Sequence, residues 1–290
     1  MERRKFLSAS STIIATGALG AAGSVAAATS PYENDSREYR DLKFRVRRDT
    51  TADPSNNFHE GAMAGLEDLA RWMEDWMPYV DSVYVDDQTD WEPLDPIEHV
   101  DDVQERFPDY ADEPWAINVC LTKNSDLYAA RANGKLYNAD REHGENASFY
   151  VNSNHIHEYG GSLTGHDHGY NFAVHESVHC MTFNETTLSG YKNDHAMGDS
   201  YYVPDTDPTP IHTTSVMATG YATYWQEQDK IPADTCSGDH WMVTSQIPDP
   251  EHELTACTAN ALHEFHFGEK WEWSPPGDGK YQLDENEKFP

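Results

Sequence analysis

His175-Glu176-Ser177-Val178-His179 constrains this chain more than any other segment. Val174, Val178 and Met181 recur at i, i+4 and i+7, so Tyr170 to Phe183 reads as a helix with one apolar stripe. In a helix, side chains four apart share a face. His175 and His179 can therefore offer two imidazoles to one point, with Glu176 beside the first. Neutral imidazole is a preferred zinc ligand, and a carboxylate next to such a pair can take the proton of a water at the metal. The pattern alone is suggestive only. With fifteen His and many Glu, composition produces it by chance in roughly one such chain in sixteen. The rest of the sequence has to supply the context.

The charge balance excludes several classes of partner. Acidic side chains number 51 against 20 basic ones, a formal net charge of −31. A chain this acidic is repelled by nucleic acid and by anionic lipid. High charge also accompanies disorder. Eight Trp, sixteen Tyr and ten Phe point instead to a folded core beneath an acidic surface. Such a surface resembles that of proteins from extreme halophiles, where concentrated salt screens the self-repulsion.

The first residues read as an address. Arg3-Arg4-Lys5-Phe6-Leu7 precedes a weakly apolar stretch that ends in Ala26-Ala27-Ala28. Residues 1–28 have the three regions of a signal peptide, and the arginine pair resembles a twin-arginine export signal. The stretch is too rich in Gly and Ser for a comfortable membrane span, so no stable insertion is expected after the signal is removed. The expected destination is secreted or extracellular. Export permits disulfides. Four cysteines allow three pairings, and sequence does not choose among them. The expectation adopted is Cys236–Cys257 with Cys120–Cys180.

Along the mature chain, residues 42–47 alternate apolar and charged, as a half-buried strand does. Met63, Leu66, Leu69, Ala70, Met73 and Met77 have helical spacing over 57–77, and Pro78 ends the run. Strands are predicted at 82–85, at 115–121 and, more weakly, at 127–132 and 147–151. An Asp- and Pro-rich loop is predicted over 86–114, and a polar, turn-rich stretch over 184–215. A last helix is predicted over 250–267. The 29–267 segment reads as one catalytic-sized domain. Residues 268–290, with Pro275, Pro276, Gly277 and Gly279, read as a loosely attached acidic tail.

A catalytic zinc site needs a third protein ligand. Here the sequence resembles the metzincin clan of zinc peptidases, whose motif is HExxHxxGxxH. Thr182 and Glu185 stand where that motif has Gly and His. Thr214-Ser215-Val216-Met217 resembles the clan's Met-turn, which sets a methionine beneath the zinc. Asn193-Asp194-His195-Ala196-Met197-Gly198-Asp199 resembles the third-ligand segment of secreted haloarchaeal zincins, in which a longer loop separates the ligands. The resemblance covers about residues 170–225. It implies His175, His179 and His195 as zinc ligands, with Asp199 and Glu185 as alternatives for the third. It implies Glu176 as general base. Tyr221 is a candidate stabiliser of the transition state, or a packing residue.

The fold expected is α+β and zincin-like: a twisted mixed sheet, an active-site helix and a smaller C-terminal helical subdomain. The function expected is hydrolysis of protein or peptide substrates by a secreted zinc metalloendopeptidase. The alternative is an extracellular binding or surface protein on the same scaffold, with a structural metal or none. Gly165-His166-Asp167-His168-Gly169 reads as a polar turn that starts the helix, with Asp167 as its cap; a second metal there is the rival reading. Asp199, Asp205 and Asp207 are candidate Ca2+ ligands, although they lack EF-hand spacing.

Overall fold

Alternation in the first strand decides the layering. In β1 (Arg40–Arg48), Leu42, Phe44 and Val46 point to one side and are fully buried. Arg45 points to the other side and is also buried, at 1% exposure. The second face of this strand is thus partly covered, with Arg45 buried and Lys43 and Arg47 half-buried. The computed structural model describes residues 40–53, 55–76, 80–107, 115–136, 147–155, 165–183, 200–203, 211–214, 216–217, 249–250, 252–267 and 280–283. All of them belong to one unit, Tyr39–Pro290. The expected signal peptide lies outside the described residues.

The architecture is mixed α/β, with a five-stranded, mostly parallel sheet and four helices among the described residues. The strands β2 (Val80–Asp87), β3 (Ala116–Thr122), β4 (Ala130–Asn133) and β5 (Ser148–Asn152) join β1 in the order β2-β1-β3-β5-β4. All neighbours run parallel except the edge strand β4, which is antiparallel to β5. Every residue of β3 and of β5 is buried, as a strand covered on both faces requires.

Connection handedness assigns the helices to faces. The chain leaves β1 through α1 (Asn57–Trp76) for β2 on one side, then returns through α2 (Val100–Arg106) to β3 on the other. Right-handed crossovers in opposite directions place α1 and α2 on opposite faces. On the α2 face, Ile97, Val100, Val103 and Phe107 pack with Cys120 and Tyr150. Arg47 lies over Trp91 and Phe107, with its guanidinium carbon 5.9 and 5.8 Å from the ring centroids, and donates to the Glu92 carbonyl at 2.6 Å. Helix α2 corrects the loop expected over 86–114. Its signal was the spacing of Ile97, Val100, Val103 and Phe107, and Asp102 secures its start by accepting from the Glu98 and His99 N–H groups at 2.7 and 2.8 Å.

The other face carries α3 (Gly165–Cys180), packed along α1 and against β4 and β5. The two helices meet backbone to backbone. A Cβ on Gly61 would overlap the His166 carbonyl, and one on Gly169 would overlap the Phe58 carbonyl. One on Gly65 would come within 2.7 Å of the Tyr170 carbonyl oxygen. The Tyr170 hydroxyl donates to Asp68 at 3.0 Å and ties the same pair together. Helix α3 begins at Gly165, so Asp167 lies in its first turn and the segment 165–169 is helix, not a preceding turn.

Two other expectations change toward the C-terminus. Glu253–Thr255 form a strand, β9, and the helix α4 begins only at Ala256 and runs to Phe267. The Thr255 hydroxyl accepts the Thr258 N–H at 3.2 Å and so starts the helix. In the segment expected as a loose tail, β10 (Lys280–Gln282) pairs antiparallel with β9, and Leu283 is buried. A further small sheet joins β6 (Ser200–Val203), β7 (Ile211–Thr214) and β8 (Asp249–Pro250) in that order.

The helix contact leads to a direct prediction. Gly169→Ala should destabilise the fold by about 3 kcal/mol, since the neighbour that must shift is backbone rather than a mobile side chain. In a chain of this size that is a fall in Tm of roughly 6–12 °C by calorimetry. An unchanged Tm would contradict the close helix approach.

Candidate metal centre

Helix α3 carries His175, Glu176 and His179 near its C-terminal end. His175 and Glu176 are buried and His179 is half-buried. The two imidazoles converge: His179 Nε2 lies 2.9 Å from His175 Nε2, with the rings at 76° to each other. His175 Nδ1 donates to the Val216 carbonyl at 2.7 Å. That bond fixes the tautomer, so the Nε2 lone pair of His175 faces His179. A carbonyl acceptor on the far nitrogen is the usual partner of a metal-binding histidine.

The two imidazoles have the chemistry of zinc donors. Nitrogens 2.9 Å apart, each bonded to one ion at about 2.05 Å, subtend about 90° at it. This is narrower than tetrahedral, and a small rotation of either ring widens it. Among the described residues, no third His, Cys, Asp or Glu completes the group. His195, Asp199 and Glu185 all lie outside the described residues. So do Tyr221, Asp205 and Asp207.

Each end of this helical segment is held. Val216 and Met217 are fully buried, and the Val216 N–H donates to the Glu253 carbonyl at 3.0 Å, which ties their turn to β9. At the C-terminal end of α3, the Lys135 ammonium donates to the His179 carbonyl and the Leu136 N–H to the Cys180 carbonyl. A cation is favourable there, where the last carbonyls of a helix are otherwise unmet. Gly134, at φ 72°, makes the turn that delivers Lys135 from β4. Ser177 in the helix and Thr182 just after it return their hydroxyls to the Ala173 and Val178 carbonyls at 2.7 and 2.9 Å. Neither Lys135 nor the Val216 carbonyl was among the residues singled out from sequence. A lysine after a glycine, and a backbone oxygen, carry no motif.

Burial shapes the titration around Glu176. Tyr150 on β5 is pushed up to about 12, first by burial and then by the charge of Glu176. Burial pushes the Cys180 thiol up to about 12, against the pull of the Lys135 ammonium. Cys120 is raised well above the ordinary thiol range, again by burial.

The cysteines correct one expectation. Cys120 and Cys180 are free, not paired. Cys120 packs on the α2 face, whereas Cys180 ends a helix on the opposite face, so the sheet lies between them. Cys257 on α4 is not one of the free thiols, and Cys236, the partner expected for it, lies outside the described residues. His263 and His266 are both buried on α4, and His266 lies 6.2 Å from Trp115 between ring centroids. Burial and the neighbouring His263 lower the pKa of His266 to about 3.

Comparison with protein-family models, with curated proteins and with solved structures gives no match for this chain.

The free thiols lead to a test. Both are buried and their pKa values are raised, so at pH 8 they stay protonated and shielded. Maleimide labelling of the folded chain without reductant, read by mass spectrometry of peptides, should leave Cys120 and Cys180 unmodified. Labelling after unfolding should modify both. Unlabelled Cys120 and Cys180 in the unfolded, unreduced chain would restore the disulfide.

Proposed function

We propose that this chain is an exported zinc-dependent metallopeptidase of zincin-like fold. One observation carries the reading: two imidazole Nε2 atoms converge at 2.9 Å on a buried helix, and the far nitrogen of one is committed to a backbone carbonyl. The mixed sheet with the motif helix packed against it supports the zincin-like architecture. So does the buried Val216–Met217 turn beside His175, in keeping with its resemblance to a Met-turn. His195 is assigned as the third ligand from its sequence context. The twin-arginine signal read over residues 1–28 supports export, and no helix among the described residues is long and apolar enough to cross a membrane.

In this proposal His175, His179 and His195 would hold the metal. When bound, zinc would supply Lewis acidity and lower the pKa of a water toward about 7. Glu176 follows His175 on the helix. Its carboxylate would serve as general base toward a water and then as proton donor to the leaving amine. Tyr221 is the proposed hydrogen-bond donor to the oxyanion of the tetrahedral species. The substrate is a protein or peptide, whose scissile carbonyl must reach Glu176.

The test is Glu176→Ala in the purified mature chain. Zinc content should stay near one per chain, while hydrolysis of a casein substrate falls by about 10²–10⁴-fold. Full activity in the variant would overturn the mechanism. Less than about 0.2 zinc per wild-type chain, after preparation without chelator, would make the motif accidental. One zinc without hydrolysis in the wild type would favour the extracellular binding protein on the same scaffold.

A further inference from the structure

Helix α3 is gripped a second time, upstream of the histidine pair. The His252 ring stacks on Tyr170 with centroids 3.8 Å apart and planes at 14°. Its Nε2 lies 3.7 Å from Asp167 Oδ1. Tyr170 is itself fixed, with its ring buried and its hydroxyl on Asp68, which Arg71 pairs at 2.7 Å. His252 is therefore seated on a rigid part of α3.

The next residue along the chain reaches the metal centre. The Glu253 carbonyl accepts the Val216 N–H, and the Val216 carbonyl accepts His175 Nδ1–H. From Tyr170 to His175 is about 7.5 Å along the helix axis. Residues 252 and 253 bridge that distance. One end rests on Tyr170 and Asp167, and the other end holds the turn that holds His175. The Leu283 N–H, just after β10, donates to the His252 carbonyl at 2.9 Å and fixes the bridge from outside.

We propose that His252 is a positioning residue for the metal-binding pair. By stacking on Tyr170 it sets the height of the Val216–Met217 turn along α3. The turn in turn sets the orientation and tautomer of His175. This rests on the metal reading of His175 and His179. A rigid second contact matters because outer partners of a ligating histidine typically govern 10–100-fold in metal affinity.

The test uses the full mature chain and two ions, zinc and cobalt(II). Zinc Kd is measured by competition with a chelating dye, and ligand geometry by the visible absorption of the cobalt form. His252→Ala should weaken zinc by about 10–100-fold and shift the cobalt bands. His252→Phe keeps a ring on Tyr170 and should return the Kd to within about threefold of wild type. Tyr170→Leu, which removes the stack from the other side, should reproduce the alanine loss. Val103→Ala, on the opposite face of the sheet, provides the control: it should lower Tm without moving the Kd or the bands. Wild-type Kd and spectrum in His252→Ala would overturn the positioning role alone, whatever Tyr170→Leu shows, because Tyr170→Leu also removes the hydrogen bond to Asp68. A loss in Val103→Ala as large as in His252→Ala would overturn it too, because general destabilisation would then account for both. If His252→Ala does not fold, a loss of more than tenfold in His252→Phe overturns the proposal, and a near-wild-type Kd there with weak binding in Tyr170→Leu supports it. A wild-type chain that binds neither ion would instead sink the metal reading on which the role depends.

Discussion

The contact between α1 and α3 is made by backbone, and the rest of the candidate site depends on it. Gly61 and Gly65 on one helix, and Gly169 on the other, remove the side chains that would otherwise separate the two. A helix pair this close has little freedom to slide. Asp68 and Tyr170 add a hydrogen bond across the same seam. The position of His175 and His179 follows from that register, because both lie within three turns of Gly169 on an unbroken helix. The lower part of the helix is then free to meet the 216–217 turn on one side and the 134–136 segment on the other.

A second constraint is how so acidic a chain closes its core. Most of its carboxylates can stay in water, but Asp49 at the end of β1 is fully buried. It survives there because its oxygens are met. Thr51 N–H and hydroxyl and the Ala52 N–H reach Oδ1 at 2.9, 2.6 and 3.1 Å, and the Thr122 hydroxyl reaches Oδ2 at 2.6 Å. An unmet carboxylate at that depth would cost several kcal/mol. The residue thereby fastens the end of β1 to that of β3, the central strand of the sheet. Burying a carboxylate is tolerable where local turns, a neighbouring hydroxyl and the Ile97 N–H supply its partners.

Much of the fold was legible because it rests on periodicity. The 57–77 stripe became α1 at Asn57–Trp76, and the apolar run at 115–121 became β3. Elements that depend on distant partners were not legible. Helix α2 has seven residues, too few for its spacing to stand out within a loop rich in Asp and Pro. Strand β9 looked like the start of α4, since Leu254 suits the inner face of either element; pairing with residues 280–282 decides it. Arg45 reads as solvent-facing until β1 proves to be an interior strand, flanked by β2 and β3. In the site, the i, i+4 geometry of His175 and His179 needed nothing beyond a helix, and the sequence carried it. The Val216 carbonyl, Lys135 and His252 take their roles from tertiary contacts, and no local pattern marks them. A third ligand on a loop is harder still, because loop length permits a return to the helix without directing it.

On the proposed reading, the helix histidines hold a zinc ion with one position left for water. Zinc K-edge X-ray absorption of the purified mature chain, prepared without chelator, tests it most directly. Three imidazole nitrogens and one non-protein oxygen, all at about 2.0–2.1 Å, are the expected shell. A sulfur neighbour, a fourth imidazole in place of the oxygen, or no bound zinc at all would contradict it.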